Sequence, residues 1–277
     1  MKWLLVPFLF FTHWYYTPLE SPSNPVEINS IDLNLKKTEL AMTFFSLSDG
    51  EAALIQHPNG KSVLINSGGR DTKQELINLL NLYHVKQIDT VLLTSDKDCC
   101  VKNLNWMIEQ FSVRSLISGR SVAQALQHAD VTDQAMNVQA LNTGEQWEVL
   151  PGVVVKVIQD NEGMDLVITF LNQRILWLNQ SNLDPKTYLP EGEATPTTIV
   201  KLPGRLSEEF VSDEIMKKLD PQMAFFFPEN RGEINNDLLE QLHHSWVRVF
   251  HNHDKGAITV KFTENNYEIL KITDEKK

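Results

Sequence analysis

This chain of 277 residues contains only two cysteines, and they are neighbours, Cys99 and Cys100. That excludes a disulfide framework and a four-cysteine zinc site. A bridge between adjacent residues is strained, so the pair reads as two thiols. Long Lys/Arg runs are also missing, and Lys+Arg 25 against Asp+Glu 36 gives a formal net charge of -11. A fold that grips nucleic acid by neutralising phosphates usually has the opposite balance, so tight nucleic-acid binding is disfavoured. No repeat of solenoid period is present. What is there is ordinary for a globular protein: 42% hydrophobic and 22% charged residues, in a chain long enough to bury a sizeable core.

The first residues differ in kind. "MKWLLVPFLFFTHWYY" places Lys2 before an apolar stretch from Trp3 to Phe11, followed by Trp14, Tyr15 and Tyr16. Residues 1–22 read as a signal peptide or signal anchor. The stretch is short for a full span, which needs about 20 apolar residues. It also lacks an evident small-x-small cleavage site and a cysteine for lipid attachment. The aromatic trio suits a membrane interface. The plainer alternative is an N-terminal segment packed on the domain. Residues 23–39 begin in Pro- and Ser-rich sequence and read as a linker leading into a domain at 40–277.

Within that domain, strand-like and helix-like segments alternate. "MTFFSL" and "EAALIQHPNGKSVLINSGG" read as a strand and a hairpin turned at Pro58-Asn59-Gly60. "TKQELINLLNLYH" carries a helical apolar face, and "IDTVLLT" is a buried strand. "TSDKDCC" is a loop after it, "VKNLNWMIEQF" a helix, and "VRSLIS" a strand. Residues 120–145 read as a short helix and a loop. "GVVVKVIQ", "MDLVITFL" and "RILWLN" form an antiparallel meander. "TTIVKL" and "QMAFFFP" are strands separated by a helix in "EEFVSDEIMKKL". "NNDLLEQLHH" is a helix, and "WVRVFH", "GAITVKFT" and "YEILKI" are closing strands. Each half thus runs from strands into strand–helix units, a pattern satisfied by two mixed β-sheets flanked by helices, an α+β class. The run Phe225-Phe226-Phe227 reads as core strand rather than a base-stacking platform.

Several segments, from about residue 41 to 265, resemble one family in order and spacing: the metallo-β-lactamase fold, and within it the extracytoplasmic domain of ComEC-type DNA-internalisation (competence) proteins. Gly50-Glu51 and Leu64-Ile65-Asn66-Ser67-Gly68 look like the family's opening Gly-Asp/Glu and Leu-Ile-Asp-Thr-Gly. "TVLLTSDKDCCVKNL" looks like the strand and loop bearing Thr-His-x-(His/Asp)-x-Asp-His-x-Gly-Gly-Leu. "RILWLNQS" looks like the strand ending in Thr-Gly-Asp, and "TIVKLPGRLS" like Val-Leu-Lys-Val-Pro-His-His-Gly-Ser. The resemblance implies an αββα sandwich. In active members it implies one or two divalent metals that lower the pKa of a bound water for hydrolysis.

The ligand positions that the resemblance implies are degenerate here. Aligned without a gap, they fall on Ser95, Lys97, Cys99 and Cys100, then on Gln180, Gly204 and Arg205, with Asn66 at the hairpin aspartate. Zinc needs three or four protein ligands, and of these residues only Cys100 is a plausible one. The expectation is therefore a non-catalytic relative with no cofactor and no confident catalytic residue, a binding or accessory module at the cell envelope. It would be membrane-anchored or exported, with its domain outside the cytoplasm and an envelope protein as one possible partner. The alternative is a metal-dependent hydrolase, phosphodiesterase- or nuclease-like. It would use zinc or manganese on an atypical set: Asp96, Asp98, Cys99 and Cys100. A further expectation is that Lys97 or Arg205 pairs with Asp96 or Asp98 in the former metal cleft. The cysteines read either as buried inert thiols or as a reactive pair beside cations and a helix start. His243, His244, His251, His253 and Asp254 read as surface residues, with a separate metal site as the sharper option.

Overall fold

The computed structural model describes residues 30–128, 137–161, 163–179, 197–203, 218–227, 236–251 and 256–273. In chain order the first half runs β1 (Leu40–Ser46), β2 (Ala53–Gln56), β3 (Ser62–Ile65), α1 (Lys73–Leu82), β4 (Thr90–Leu93), α2 (Asp98–Val101), α3 (Leu104–Gln110), β5 (Ser115–Gly119), α4 (Arg120–His128) and β6 (Asn137–Leu141). The second half runs β7 (Gln146–Leu150), β8 (Val153–Asp160), β9 (Met164–Phe170), β10 (Gln173–Trp177), β11 (Ile199–Leu202), β12 (Met223–Phe226), α5 (Asn236–His244), β13 (Arg248–His251), β14 (Gly256–Phe262) and β15 (Tyr267–Thr273).

Two sheets result. One has the order β15-β14-β1-β2-β3-β4-β5-β6 and the other β13-β12-β11-β10-β9-β8-β7. Each is antiparallel on one side and parallel on the other. β1, β2 and β3 meander and then β3 to β6 run parallel. Likewise β7 to β10 meander and β10 to β13 run parallel. The parallel halves need crossovers, which is where the helices fall.

Three apolar layers make this a four-layer αββα sandwich. Between the sheets, Met42, Phe44, Ile65, Leu166, Trp177 and Phe225 are among the buried residues of one core. At its centre Phe44 of β1 stacks on Phe225 of β12, with ring centroids 3.8 Å apart and planes 13° apart. On the outer face of the first sheet, Leu76 and Leu80 of α1 and Leu104 and Met107 of α3 pack on Leu64 and Val91. On the outer face of the second, Leu242 of α5 packs with Val200 and Phe226. Burial on both faces explains why β4 and β12 read as continuous apolar runs, and β11 as one broken only by Lys201. Phe225, Phe226 and Phe227 are all buried, as core strand residues.

The hairpin at Pro58-Asn59-Gly60 is as expected, with Gly60 at φ 83. Two local readings change. The cysteine segment is not loop: Asp98–Val101 already forms a helical turn, and the continuous helix expected over 101–111 is broken, with α3 restarting at Leu104. The reason is Asn103, whose Nδ2 turns inward to donate to Ser67 O, Gly69 O and Thr72 Oγ1. Residues 120–145 hold α4 and also the strand β6. Its half-exposed sequence "NVQAL", at the sheet edge, carries little alternation. The helix expected in "EEFVSDEIMKKL" lies almost wholly outside the described residues, as does the apolar N-terminal segment. Among the described residues no helix is long and apolar enough to cross a membrane.

Candidate functional site

The strand ends β3, β4, β10 and β11 meet at one end of the sandwich, and the expected ligand loop sits there. Gly50 starts the construction at φ +79, where an added Cβ would collide with Cys99 O and Gly69 N. Only glycine supplies that turn without strain. Glu51 N then donates to Cys99 O at 2.8 Å, and Gly68 N donates to Glu51 O at 2.9 Å. These bonds aim the Glu51 side chain inward, where it is 4% exposed.

β11 supplies its partner. Ile199 and Lys201 point between the sheets while Val200 points to the helix side. Lys201 Nζ is fully buried 2.7 Å from Glu51 Oε1. It also donates to Leu178 O and to Asn179 Oδ1, each at 3.1 Å. Its ammonium lies 5.2 Å from the centroid of the Trp177 ring, a cation–π contact. A buried charge is tolerable when it is paired and hydrogen-bonded in this way. By the resemblance, both partners fall on motif positions, the Gly-Glu of the opening hairpin and the lysine of "IVKLPG".

The surrounding groups are neutral and mutually satisfied. Asn66, at φ 58, accepts from Thr94 N at 2.9 Å and donates to Thr94 Oγ1 at 2.9 Å and Glu51 Oε2 at 3.3 Å. Asparagine is among the few residues that tolerate that conformation. Asn179 Nδ2 donates to Met164 O at 2.7 Å and Thr94 O at 3.4 Å, stitching the two sheets together. Ser67 N and Oγ both donate to Cys100 O, at 2.6 and 3.0 Å. The space left among Glu51, Ser95, Cys99, Cys100 and Lys201 is about 10 Å³, the scale of a single water. A larger groove of about 430 Å³ lies at the far end of β2 and β3, lined by residues 31–35, 56–58, 60–62 and 83–87.

Of the expected positions, Ser95, Cys99 and Cys100 do come together at this cleft, and Lys97 stands at its rim. Ser95 is buried and its Oγ accepts from Lys97 N at 3.2 Å. Cys99 Sγ and Cys100 Sγ are 3.4 Å apart, Cys99 half-buried and Cys100 buried. The Cys99 thiol and burial together push the Cys100 thiol well above its ordinary range. Gln180, Gly204, Arg205, His253 and Asp254 lie outside the described residues. His243 and His244 end α5, and His251 ends β13, two strands along from β11, with its ring stacked on Phe226.

The Lys97 half of the expected charge pairing is corrected, while Arg205 lies outside the described residues. Asp96, Lys97 and Asp98 are all exposed. Asp98 is gripped by Arg70, through Nε at 2.9 Å and Nη2 at 2.6 Å, with Lys102 Nζ at 3.6 Å. The Arg70 guanidinium, then Lys102, hold its carboxyl below the usual range. The helical turn at 98–101 points Asp98 outward to that arginine. Among the described residues the buried cation of the cleft is Lys201, from the strand segment "TIVKL".

Among the described residues the donor set does not fit a divalent metal. Such an ion wants three or four imidazole, carboxylate or thiolate ligands. The cleft offers a hydroxyl, a thiol held in its protonated form, a second thiol, and a carboxylate already 2.7 Å from a buried ammonium. Asp96 and Asp98, the carboxylates of the atypical set, face solvent instead. Among the described residues no three His, Cys, Asp or Glu side chains gather as a metal-holding group.

No protein-family model matches the chain, and no curated protein matches it in sequence. Solved structures do match. The chain is similar to the metallo-beta-lactamase fold protein YhfI from Bacillus subtilis, with TM-score 0.62 and 11% identity over 82% of this chain and 100% of that one. It is similar to Igni18, a metallo hydrolase from Ignicoccus hospitalis, with TM-score 0.57 and 13% identity over 80% of this chain and 100% of that one. A third match is Zn(2+)-bound PqqB from Methylobacterium extorquens, with TM-score 0.56 and 11% identity over 78% and 99% of the two chains. At these identities the likeness establishes the fold: this is a metallo-β-lactamase-like sandwich.

Proposed function

We propose that this chain is a non-catalytic protein of the metallo-β-lactamase fold, similar to the ComEC-type extracytoplasmic domain, serving as a binding or accessory module at the cell envelope. One observation carries the reading. Ser95, Lys97, Cys99 and Cys100 stand on the loop positions to which the resemblance assigns imidazole and carboxylate ligands, and the carboxylate in the described part of the cleft, Glu51, is already paired with buried Lys201 at 2.7 Å. Among the described residues that leaves too few ligands for the divalent ion on which hydrolysis by this fold depends. Residues 1–22, with Lys2 ahead of an apolar stretch, support tethering or export. The net charge of -11 favours a protein partner over nucleic acid.

Elemental analysis of the purified full chain, together with hydrolysis of a generic phosphodiester, tests the catalytic half of the proposal. The expected result is sub-stoichiometric zinc and manganese and no turnover above buffer. Stoichiometric metal that disappears on Asp98→Ala or Cys100→Ala, with turnover lost alongside it, establishes the hydrolase alternative instead. Fractionation of cells expressing the chain with and without residues 1–22 tests the envelope half. An unchanged location on deletion overturns it.

A further inference from the structure

The pair Cys99–Cys100 performs no task in the reading above, yet it sits at the mouth of the cleft with two features a buried structural cysteine lacks. The two sulfurs are 3.4 Å apart, and one of them, Cys99, is half-exposed while the other is buried behind it. An accessible attacking thiol with a resolving thiol beside it is the arrangement that thiol–disulfide exchange requires. The exposed Lys97 and the buried Lys201 line the same small space.

A bond between the two requires the turn that carries them to reshape. Adjacent Cα atoms are about 3.8 Å apart, closer than the usual disulfide spacing, so such a bond is strained and readily reduced. The strain falls on α2, a single turn from Asp98 to Val101 that is already separate from α3. Little helix is lost if that turn reshapes. Strained or exposed disulfides are the labile, regulatory ones.

We infer that Cys99 and Cys100 form a reversible two-thiol redox site, oxidised by disulfides of low molecular weight to a vicinal disulfide and returned to thiols by reduction. The Cys99 thiolate attacks one sulfur of the small disulfide and expels the other half as a thiolate, leaving a mixed disulfide on Cys99. Cys100 gives its proton to the expelled thiolate. Its sulfur attacks Cys99 Sγ, releasing the second half. Two protein thiols and one small disulfide become one protein disulfide and two small thiols. The consequence reaches the cleft, because Cys99 O holds Glu51 N and Cys100 O holds Ser67 N. Reshaping the turn moves the carbonyls that position the partner of Lys201.

The test uses the full chain and oxidised glutathione under native conditions, quenched with N-ethylmaleimide. Trypsin cuts after Lys97 and Lys102 and places both cysteines in one peptide, Asp98–Lys102, so its mass decides without any variant. The expected peptide is lighter by two hydrogen atoms and carries neither maleimide nor glutathione. No disulfide-linked dimer forms without reductant, and dithiothreitol restores both thiols. A doubly maleimide-labelled peptide, a persistent glutathione adduct on the native chain, or a disulfide-linked dimer overturns the proposal. Cys100→Ser is expected to stop at the mixed disulfide on Cys99. Cys99→Ser is expected to leave Cys100 unmodified.

Discussion

Lys201 of β11 and Glu51 of the β1–β2 loop join the two sheets through a buried ion pair of 2.7 Å, at the strand ends where this fold places its chemistry. Removing only one charge leaves the other buried and uncompensated. Lys201→Met is therefore expected to destabilise the protein by about 3–5 kcal/mol. Adding Glu51→Gln removes the stranded carboxylate while keeping an acceptor for Asn66 Nδ2, and is expected to recover most of that loss. Denaturant unfolding of the two single variants and the double variant, read as a double-mutant cycle, checks it. Additive losses would mean that the pair is not coupled.

The outer pair behaves differently. Asp98 is exposed and its carboxyl is held below the usual range, first by the hydrogen bond from Arg70. A carboxylate with a lowered folded-state pKa contributes stability that is present above its unfolded value and lost as pH falls through the folded one. Asp98→Asn is expected to lower the unfolding midpoint slightly at neutral pH, and the two proteins converge as pH falls through and below the ordinary carboxylate range, so the variant's acid limb is flatter. The difference shrinks with added salt. Thermal melts from pH 7 down to pH 2, at low and high salt, measure it.

Cys100 sets the alkaline side. Its thiol is pushed up by the hydrogen bond to Cys99 and by burial. An acid with a raised folded-state pKa contributes stability below its unfolded value, and that stability is lost as pH rises toward the folded one. The unfolding midpoint of the reduced protein is therefore expected to fall once pH exceeds the ordinary thiol range. Cys100→Ala should make that decline shallower. Chemical denaturation at neutral and alkaline pH, with reductant present throughout, separates this effect from oxidation.

Much of the fold was legible because apolar burial writes itself into strands. β4, β11, β12 and β14 read directly as apolar runs, and the Gly50-Glu51 and Asn66-Ser67-Gly68 motifs fell at the cleft. The site was legible in what its ligand positions lack, less so in what replaced them. Lys97 and Arg205 drew attention because they fall on ligand positions. Lys201 does the work, and its signal was available: a lone charge within "TIVKL", in a strand otherwise apolar on both faces, demands a buried partner. Arg70 was not recoverable, since its bond to Asp98 spans 28 residues and depends on α2 beginning at Asp98 rather than after it. The edge strand β6 was missed because its half-exposed residues show no clean alternation.

The hairpin glycine ties these parts together, and its replacement tests them jointly. Gly50 stands at φ +79 against Cys99 O and Gly69 N. Alanine there incurs the strain of a left-handed conformation, about 1–3 kcal/mol, and adds a clash with backbone that has no side-chain rotamer to yield. The loop must move away from α2, breaking the bond from Glu51 N to Cys99 O. Gly50→Ala is therefore expected to destabilise by more than the strain alone. It should also raise the rate at which Cys100 reacts with maleimide, because the turn that buries it loses its support. Unfolding curves and thiol-labelling kinetics on the same preparation check both effects. A destabilised variant whose Cys100 labels no faster would mean that the loop and the cysteine turn move independently.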